Sequence, residues 1–243
     1  MQKVALVTGS ATGVGRACAV RFAKLGYAVA VNYSKSAAEA EETADLVRAA
    51  GAPVLVYRAT VGDDSQVRAM VAKTIETFDG LDVLVNNAGT THFIAHTDLD
   101  AVTDEIWDEI FQVNLKGAFY ACRAAMPYLT ARSGNIVNVS SVAGLGGQGS
   151  SIPYCASKGA MNTMTKSLAK AFGPAVRVNA VAPGPILTRW LAGREPHVEK
   201  FLEQAPLKRA ATPEDIADAV LYLAAGTTLT TGQVVVVDGG RTM

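Results

Sequence analysis

Short apolar runs alternate with longer amphipathic stretches along the whole of this chain, and that alternation restricts the fold more than any single motif does. The runs lie near 3–8, 28–32, 53–59, 82–86, 134–140, 176–182 and 233–237, with helical patterns near 14–25, 36–50, 64–78, 103–131, 154–172 and 213–225 between them. A run such as Val4-Ala5-Leu6-Val7 is apolar at every position, so both faces of its strand must be covered. Strands of this kind alternating with helices predict an α/β protein, a doubly wound parallel sheet of about seven strands with helices on both faces. Ligands of such sheets bind beyond the carboxyl ends of the strands. Residues 9–15, 86–89, 140–141 and 183–184 all fall there, so four separate segments are expected to converge on one crevice.

At 243 residues the chain can bury one large core, and no linker or composition break divides it, so a single domain over 1–243 is expected. Lysine plus arginine equal aspartate plus glutamate at 22 each, which gives no electrostatic case for nucleic acid or an anionic membrane as partner. The expected ligand is therefore small. No apolar stretch approaches the length of a membrane span, and the first strand begins at Lys3 or Val4, so a cytoplasmic location is expected. Cys18, Cys122 and Cys155 are odd in number and widely spaced, and His92, His96 and His197 form no ligand cluster; neither a disulfide framework nor a metal site is expected.

Two local patterns carry chemistry. Tyr154 and Lys158 are four residues apart in a segment that reads as the start of a helix, which puts both side chains on one face. An ammonium about 4 Å from a phenol, at an effective dielectric near 20, contributes roughly 4 kcal/mol, enough to lower the phenol by about three pH units. Such a pair exchanges protons near neutrality, although a packed ring beside a solvated amine has the same spacing. The second pattern is Val4 to Val7, then Thr8-Gly9-Ser10-Ala11-Thr12-Gly13-Val14-Gly15, then the apolar helical positions Ala17, Val20, Phe22, Ala23 and Leu25. A buried strand, a glycine-rich turn and a helix make a phosphate site, because bare backbone N–H groups meet the anion at the positive end of the helix dipole. The spacing Gly-x-x-x-Gly-x-Gly departs from the common dinucleotide fingerprint.

Thr8 to Gly15, Asn86-Asn87-Ala88-Gly89, Asn114, Ser140-Ser141, Tyr154-x-x-x-Lys158 and Pro183-Gly184 stand in an order and spacing that resemble the short-chain dehydrogenase/reductase superfamily across the whole chain. The resemblance implies a Rossmann-type sheet and a nicotinamide cofactor. It assigns Tyr154 as the acid that protonates a carbonyl oxygen, or the base in reverse. Lys158 lowers the phenol and holds the nicotinamide ribose, and Asn114 holds a water that links Lys158 to solvent. Ser141 precedes Tyr154 by thirteen residues, the family's usual interval, and so stands ahead of Ser140 as the hydroxyl on the substrate oxygen. The cofactor-binding set is Gly9, Ser10, Thr12, Gly13, Val14 and Gly15 at the phosphates; Asn32, Tyr33 and Ser34 at the second strand; Thr60 and Val61 at the adenine; Asn86, Ala88 and Gly89 after the fourth strand; and Pro183, Gly184, Ile186 and Thr188, with Tyr154 and Lys158, around the nicotinamide.

The second strand ends Val31-Asn32-Tyr33-Ser34-Lys35, without the carboxylate that an NAD site uses to repel a 2′-phosphate, so NADP(H) is preferred over NAD(H). Thr60 stands where relatives commonly carry aspartate, which implies a looser hold on the adenine. Residues 189–206 read as a lid over the substrate, with Trp190, Leu191, Phe201 and Leu202 as its apolar content. The pattern is closest to 3-oxoacyl-acyl-carrier-protein reductases, and Arg132 matches one of two arginines by which those engage an acidic carrier. The expected partner is a small-molecule or carrier-linked carbonyl compound. The alternatives are an NAD-dependent sugar, polyol or small-alcohol dehydrogenase, and a non-catalytic nicotinamide-binding scaffold or redox sensor. A homotetramer is expected, with Trp107, Ile110, Phe111, Met161 and Met164 supplying the apolar faces of the two long helices.

Overall fold

In the computed structural model, which describes residues 1–191, 193 and 201–243, seven parallel strands form one sheet in the order β3-β2-β1-β4-β5-β6-β7. The strands are β1 (Val4–Val7), β2 (Ala28–Tyr33), β3 (Val54–Arg58), β4 (Val83–Asn86), β5 (Asn135–Val139), β6 (Arg177–Pro183) and β7 (Val234–Val237). The helices are α1 (Gly13–Lys24), α2 (Ala37–Ala49), α3 (Asp64–Phe78), α4 (Asp104–Phe111), α5 (Gly117–Ala131), α6 (Ala143–Gly146), α7 (Ile152–Phe172) and α8 (Pro213–Leu221). Alternate strand residues serve opposite faces. Ala5, Val7, Val29 and Val31 pack under α1, α2 and α8, whereas Val4, Leu6, Ala28 and Ala30 pack under α3 and α5. The doubly wound architecture read from the alternation is the observed one.

The strand order reverses between β1 and β4, and the crevice opens at their carboxyl ends. Thr8 joins the two edges: its hydroxyl donates to the Val85 carbonyl and accepts from the amides of Asn87 and Ala88. Two features have no counterpart in the helical reading. The stretch expected as one helix over 103–131 is broken by a π-turn at Gln112–Lys116, and α7 begins at Ile152, two residues early, because Ser151 caps it by accepting from the Tyr154 amide.

The expected assembly faces need correction. Ile110 and Met161 are wholly buried inside their own chain, where they pack as core and leave nothing for a neighbour. Phe119, Tyr128 and Phe172 are the exposed large apolar side chains of α5 and α7, and Phe119, Met126, Leu168 and Phe172 line a shallow groove between those helices.

Candidate active site

One cavity of about 1050 Å³ runs from the end of β2, across the glycine turn, to the segment after β6. At its centre Gly9 has φ +61°, and a Cβ there would lie 2.9 Å from the Ala88 Cα; only glycine lets the turn lie this close to β4. Thr12 precedes α1 with no capping bond from its side chain, and the first turn of α1 carries no acidic residue. Thr12, Gly13 and Val14 face the cavity with Gly9. Backbone amides at a helix start, with no competing carboxylate, are the donor set a diphosphate requires.

Two members of the expected phosphate set are structural instead. Ser10 is fully buried, its hydroxyl donating to the Val7 carbonyl and accepting from the Asn32 amide. Gly15 lies behind the turn, where a Cβ would meet the Asn87 amide nitrogen and the Gly9 carbonyl at 2.5 Å. Asn32 also needs correction: it reaches the cavity wall, but its Oδ1 accepts from the Gly9 amide and its Nδ2 donates to the Ala59 carbonyl. Its amide therefore splints the glycine turn to β3 and is not free to bind a phosphate.

Tyr33, Ser34, Lys35 and Ser36 continue this end of the cavity. Arg189 also lines it and donates to the Ser36 hydroxyl, while Arg58 donates to the Ser34 carbonyl from β3. No aspartate or glutamate lines the cavity among the described residues. Arg58 and Arg189 escaped sequence reading because they are distant in the chain, and only the β2–β3 pairing and the segment after β6 bring each of them to the end of β2.

Thr60, Val61, Ala88 and Gly89 line the cavity as expected, but Asn86 does not. It is the last residue of β4, buried, and donates to the Asn138 side chain; Asn87, one residue beyond the strand, faces the cavity. The period of two in a strand is the signal that separates the two asparagines.

Ser141, Tyr154 and Lys158 meet in the cavity, brought together by the end of β5 and the first two turns of α7. Ser141 hydrogen-bonds the phenol, and Ser140 turns away to donate to Asn162 at 2.6 Å. The expected tuning of Tyr154 by Lys158 is not what this site shows. The Lys158 ammonium lies over the ring, 5.8 Å from its centre, and donates to the Val139 carbonyl at 2.8 Å. Burial pushes the phenol up to about 12, against a smaller lowering by Ser141, and burial pushes Lys158 down to about 8. Tyr154 is thus fully protonated at neutral pH, in the state of a proton donor.

Asn114 sits fully buried in the π-turn, and its side chain is occupied: Oδ1 accepts from the Thr90 amide, and Nδ2 donates to the Thr90 carbonyl and the Ser157 hydroxyl. Both amide hydrogens are taken, and the side chain pins the loop after β4 to α7.

Phe93, Ile94, Leu187, Trp190 and Phe201 add apolar surface to the cavity and Thr91, His96, Gln148 and Ser150 add polar groups, while Pro183, Gly184, Ile186 and Thr188 line the turn after β6. The tip of the Trp190 ring lies 3.7 Å from where a Gly89 Cβ would be, on the same side as Lys158. Residues 192 and 194–200 of the expected lid, and His197 with them, lie outside the described residues. Arg132 lies at the other end of the sheet. It pairs with Asp82 at 3.1 Å, at the amino end of β4, and donates to the main-chain carbonyls of Gln2 and Asp79. Only 12% of its side chain is exposed, so it is a strut at the edge opposite the cavity and not a docking charge. Among the described residues no three histidine, cysteine, aspartate or glutamate side chains cluster as a metal site would require.

The model of the family described as Enoyl-(Acyl carrier protein) reductase matches residues 9–242. A protein of Streptomyces violaceoruber, named provisionally as ketoacyl reductase 2 of the granaticin polyketide synthase, is 49% identical over 98% of this chain and 95% of its own. A 3-oxoacyl-[acyl-carrier-protein] reductase of Staphylococcus aureus is 39% identical over 100% of this chain and 99% of its own. The crystal structure of a provisionally assigned short-chain dehydrogenase/reductase from Burkholderia xenovorans superposes with a TM-score of 0.94 at 40% identity, covering 99% of this chain and 98% of that one.

Proposed function

The chain belongs to the short-chain dehydrogenase/reductase family, and from that membership we propose that it is an NADP(H)-preferring reductase of 3-oxoacyl thioesters in which Tyr154 donates the proton. It is an oxidoreductase that interconverts a carbonyl and a secondary alcohol by hydride transfer. The observation that carries the proposal is the meeting of Ser141, Tyr154 and Lys158 with the glycine cradle in one cavity that no carboxylate of the described residues lines.

The residues present fit a nicotinamide dinucleotide. Gly9, Thr12, Gly13 and Val14 would take its diphosphate, Thr60 and Val61 its adenine, Lys158 the ribose beside the reacting ring, and Ile186 and Thr188 the carboxamide. When bound, the cofactor supplies the hydride. The chain supplies the rest. Ser141 donates to the substrate oxygen and holds it against Tyr154; the protonated phenol neutralises the alkoxide as it forms; and the apolar walls around Phe93, Trp190 and Phe201 keep water away. Lys35 and Arg189, with Arg58 behind them, favour a 2′-phosphate at the end of β2. This support replaces Asn32, whose amide is occupied.

A scaffold or sensor would have no use for a buried, protonated phenol beside a hydroxyl donor. A free small ketone, sugar or polyol is the competing substrate class, favoured by the loss of Arg132 as a docking charge. The same reading makes the protein a cytoplasmic homotetramer, with Phe119, Tyr128 and Phe172 covered by neighbours. The test pairs fluorescence titration of NADPH and NADH with turnover of acetoacetyl thioesters of coenzyme A and of acyl carrier protein. We expect tighter NADPH binding, a preference narrowed by Lys35→Glu, and reduction of both thioesters. Tighter NADH binding would remove the cofactor assignment, and inert thioesters beside an active free ketone would remove the substrate class.

A further inference from the structure

Asn162 is buried, lies one helical turn beyond Lys158 on α7, and has no part in the chemistry above. Its Oδ1 accepts from the Ser140 hydroxyl at 2.6 Å, and its Nδ2 donates to the Gly144 carbonyl at 3.4 Å. Those two partners bracket Ser141: one precedes it, and the other lies in α6, the short helix that follows. Ser141 has a fixed hydroxyl of its own, which accepts from the Ala143 amide at 3.1 Å. The two helices are also in backbone contact, since a Cβ on Gly144 would lie 2.5 Å from the Lys158 carbonyl carbon. Below Asn162 the polar contacts continue, with Asn86 donating to Asn138 and Asn138 to Thr165. Apolar packing alone lets a helix slide over a sheet by fractions of an ångström; directional bonds from one helix to the strand end and to the following loop do not.

We propose that Asn162 is a positioning residue for the reaction, a bracket between α7 and the turn after β5 that holds the Ser141 hydroxyl at its distance from Tyr154. The inference rests on the carbonyl-reductase reading. Removing the bracket leaves Tyr154, Lys158 and the cofactor cradle in place but lets Ser141 move, so the loss belongs in kcat.

The experiment is a double-mutant cycle of Asn162→Ala with Ser141→Ala, measured as steady-state reduction of a soluble ketone with NADPH, with cofactor affinity followed by fluorescence. Removing one hydrogen-bond donor from an oxyanion typically costs roughly 10²–10³-fold in kcat. Displacing that donor by loss of Asn162 should cost at least about tenfold, with the NADPH dissociation constant unchanged within about twofold. In the Ser141→Ala background Asn162→Ala should cost almost nothing further, because neighbours acting through one group are not additive. Ser140→Ala removes the same bond from its other side and must give the same non-additivity, which keeps the test intact if Asn162→Ala does not fold. Additive losses beside an impaired Ser141→Ala would overturn the bracket alone. Full turnover by Ser141→Ala would overturn the role of Ser141 and the bracket with it.

Discussion

Tyr154 and Lys158 are both displaced from their ordinary pKa values by burial, in opposite directions and each toward its neutral form. Lys158, held near 8, is an ammonium below that pH and neutral above it, whereas Tyr154, held near 12, keeps its proton throughout. The proposed reduction uses the acid form of the phenol and a cationic Lys158 beside the cofactor. The kcat/KM for ketone reduction, which reports the free enzyme, should therefore be flat from about pH 6 to 8 and fall about tenfold per pH unit above it. A profile flat to pH 10 would contradict the depressed lysine. Ser141, Tyr154 and Lys158 were legible in the sequence because interval and helical period determine which side chains share a face. Ser10, Asn32, Asn86 and Arg132 were misread because residue type says what a side chain can bond, not which partner the fold brings to it. Arg132 next to Asp82 is a pairing across fifty residues, created by the adjacency of β4 and β5.

At the scale of elements, the strands and most helices lay within about two residues of their expected bounds, because near-continuous apolar runs and amphipathic periods are strong signals; α8 instead ends at Leu221, four residues short of the expected 225, where a π-turn over Tyr222–Gly226 follows. The interruptions were not legible. A π-turn at Gln112–Lys116 leaves the apolar period around it almost intact, and α6 is four residues of Ala-Gly-Leu-Gly, a composition that argues against a helix. Both lie at the site: the first carries Asn114 and, through Gln112, holds the Gly62 carbonyl next to Thr60 and Val61 of the cavity wall, and the second follows Ser141. Arg132 belongs to this scale too, as a tie between the end of α5 and the amino ends of β1 and β4. Arg132→Ala should lower stability by about 1–3 kcal/mol, since it leaves the largely buried Asp82 carboxylate without one of its hydrogen-bond donors. Denaturant unfolding measures this, while the ratio of carrier-linked to free-ketone turnover should stay at its wild-type value. A fall in that ratio without loss of stability would restore the docking role.

Over the whole molecule, one crevice at the reversal of strand order gathers the glycine turn, Ser141, Tyr154 and Lys158, while Arg132 lies at the opposite ends of the strands. The exposed Phe119 and Phe172 on adjacent helices are the apolar surface that the proposed assembly would cover. Light scattering should report about four chains, and Phe119→Asp should give smaller species; a wild-type monomer at micromolar concentration would refute the assembly. The central claim, that Tyr154 donates the proton in a carbonyl reduction, is tested most directly by single-turnover oxidation of NADPH by a 3-oxoacyl thioester, comparing wild type with Tyr154→Phe. Phenylalanine keeps the ring that packs over Lys158 and removes only the hydroxyl. Loss of the hydroxyl should lower the rate by about 10²–10⁴-fold with NADPH affinity preserved. A rate within a few fold of wild type would contradict it.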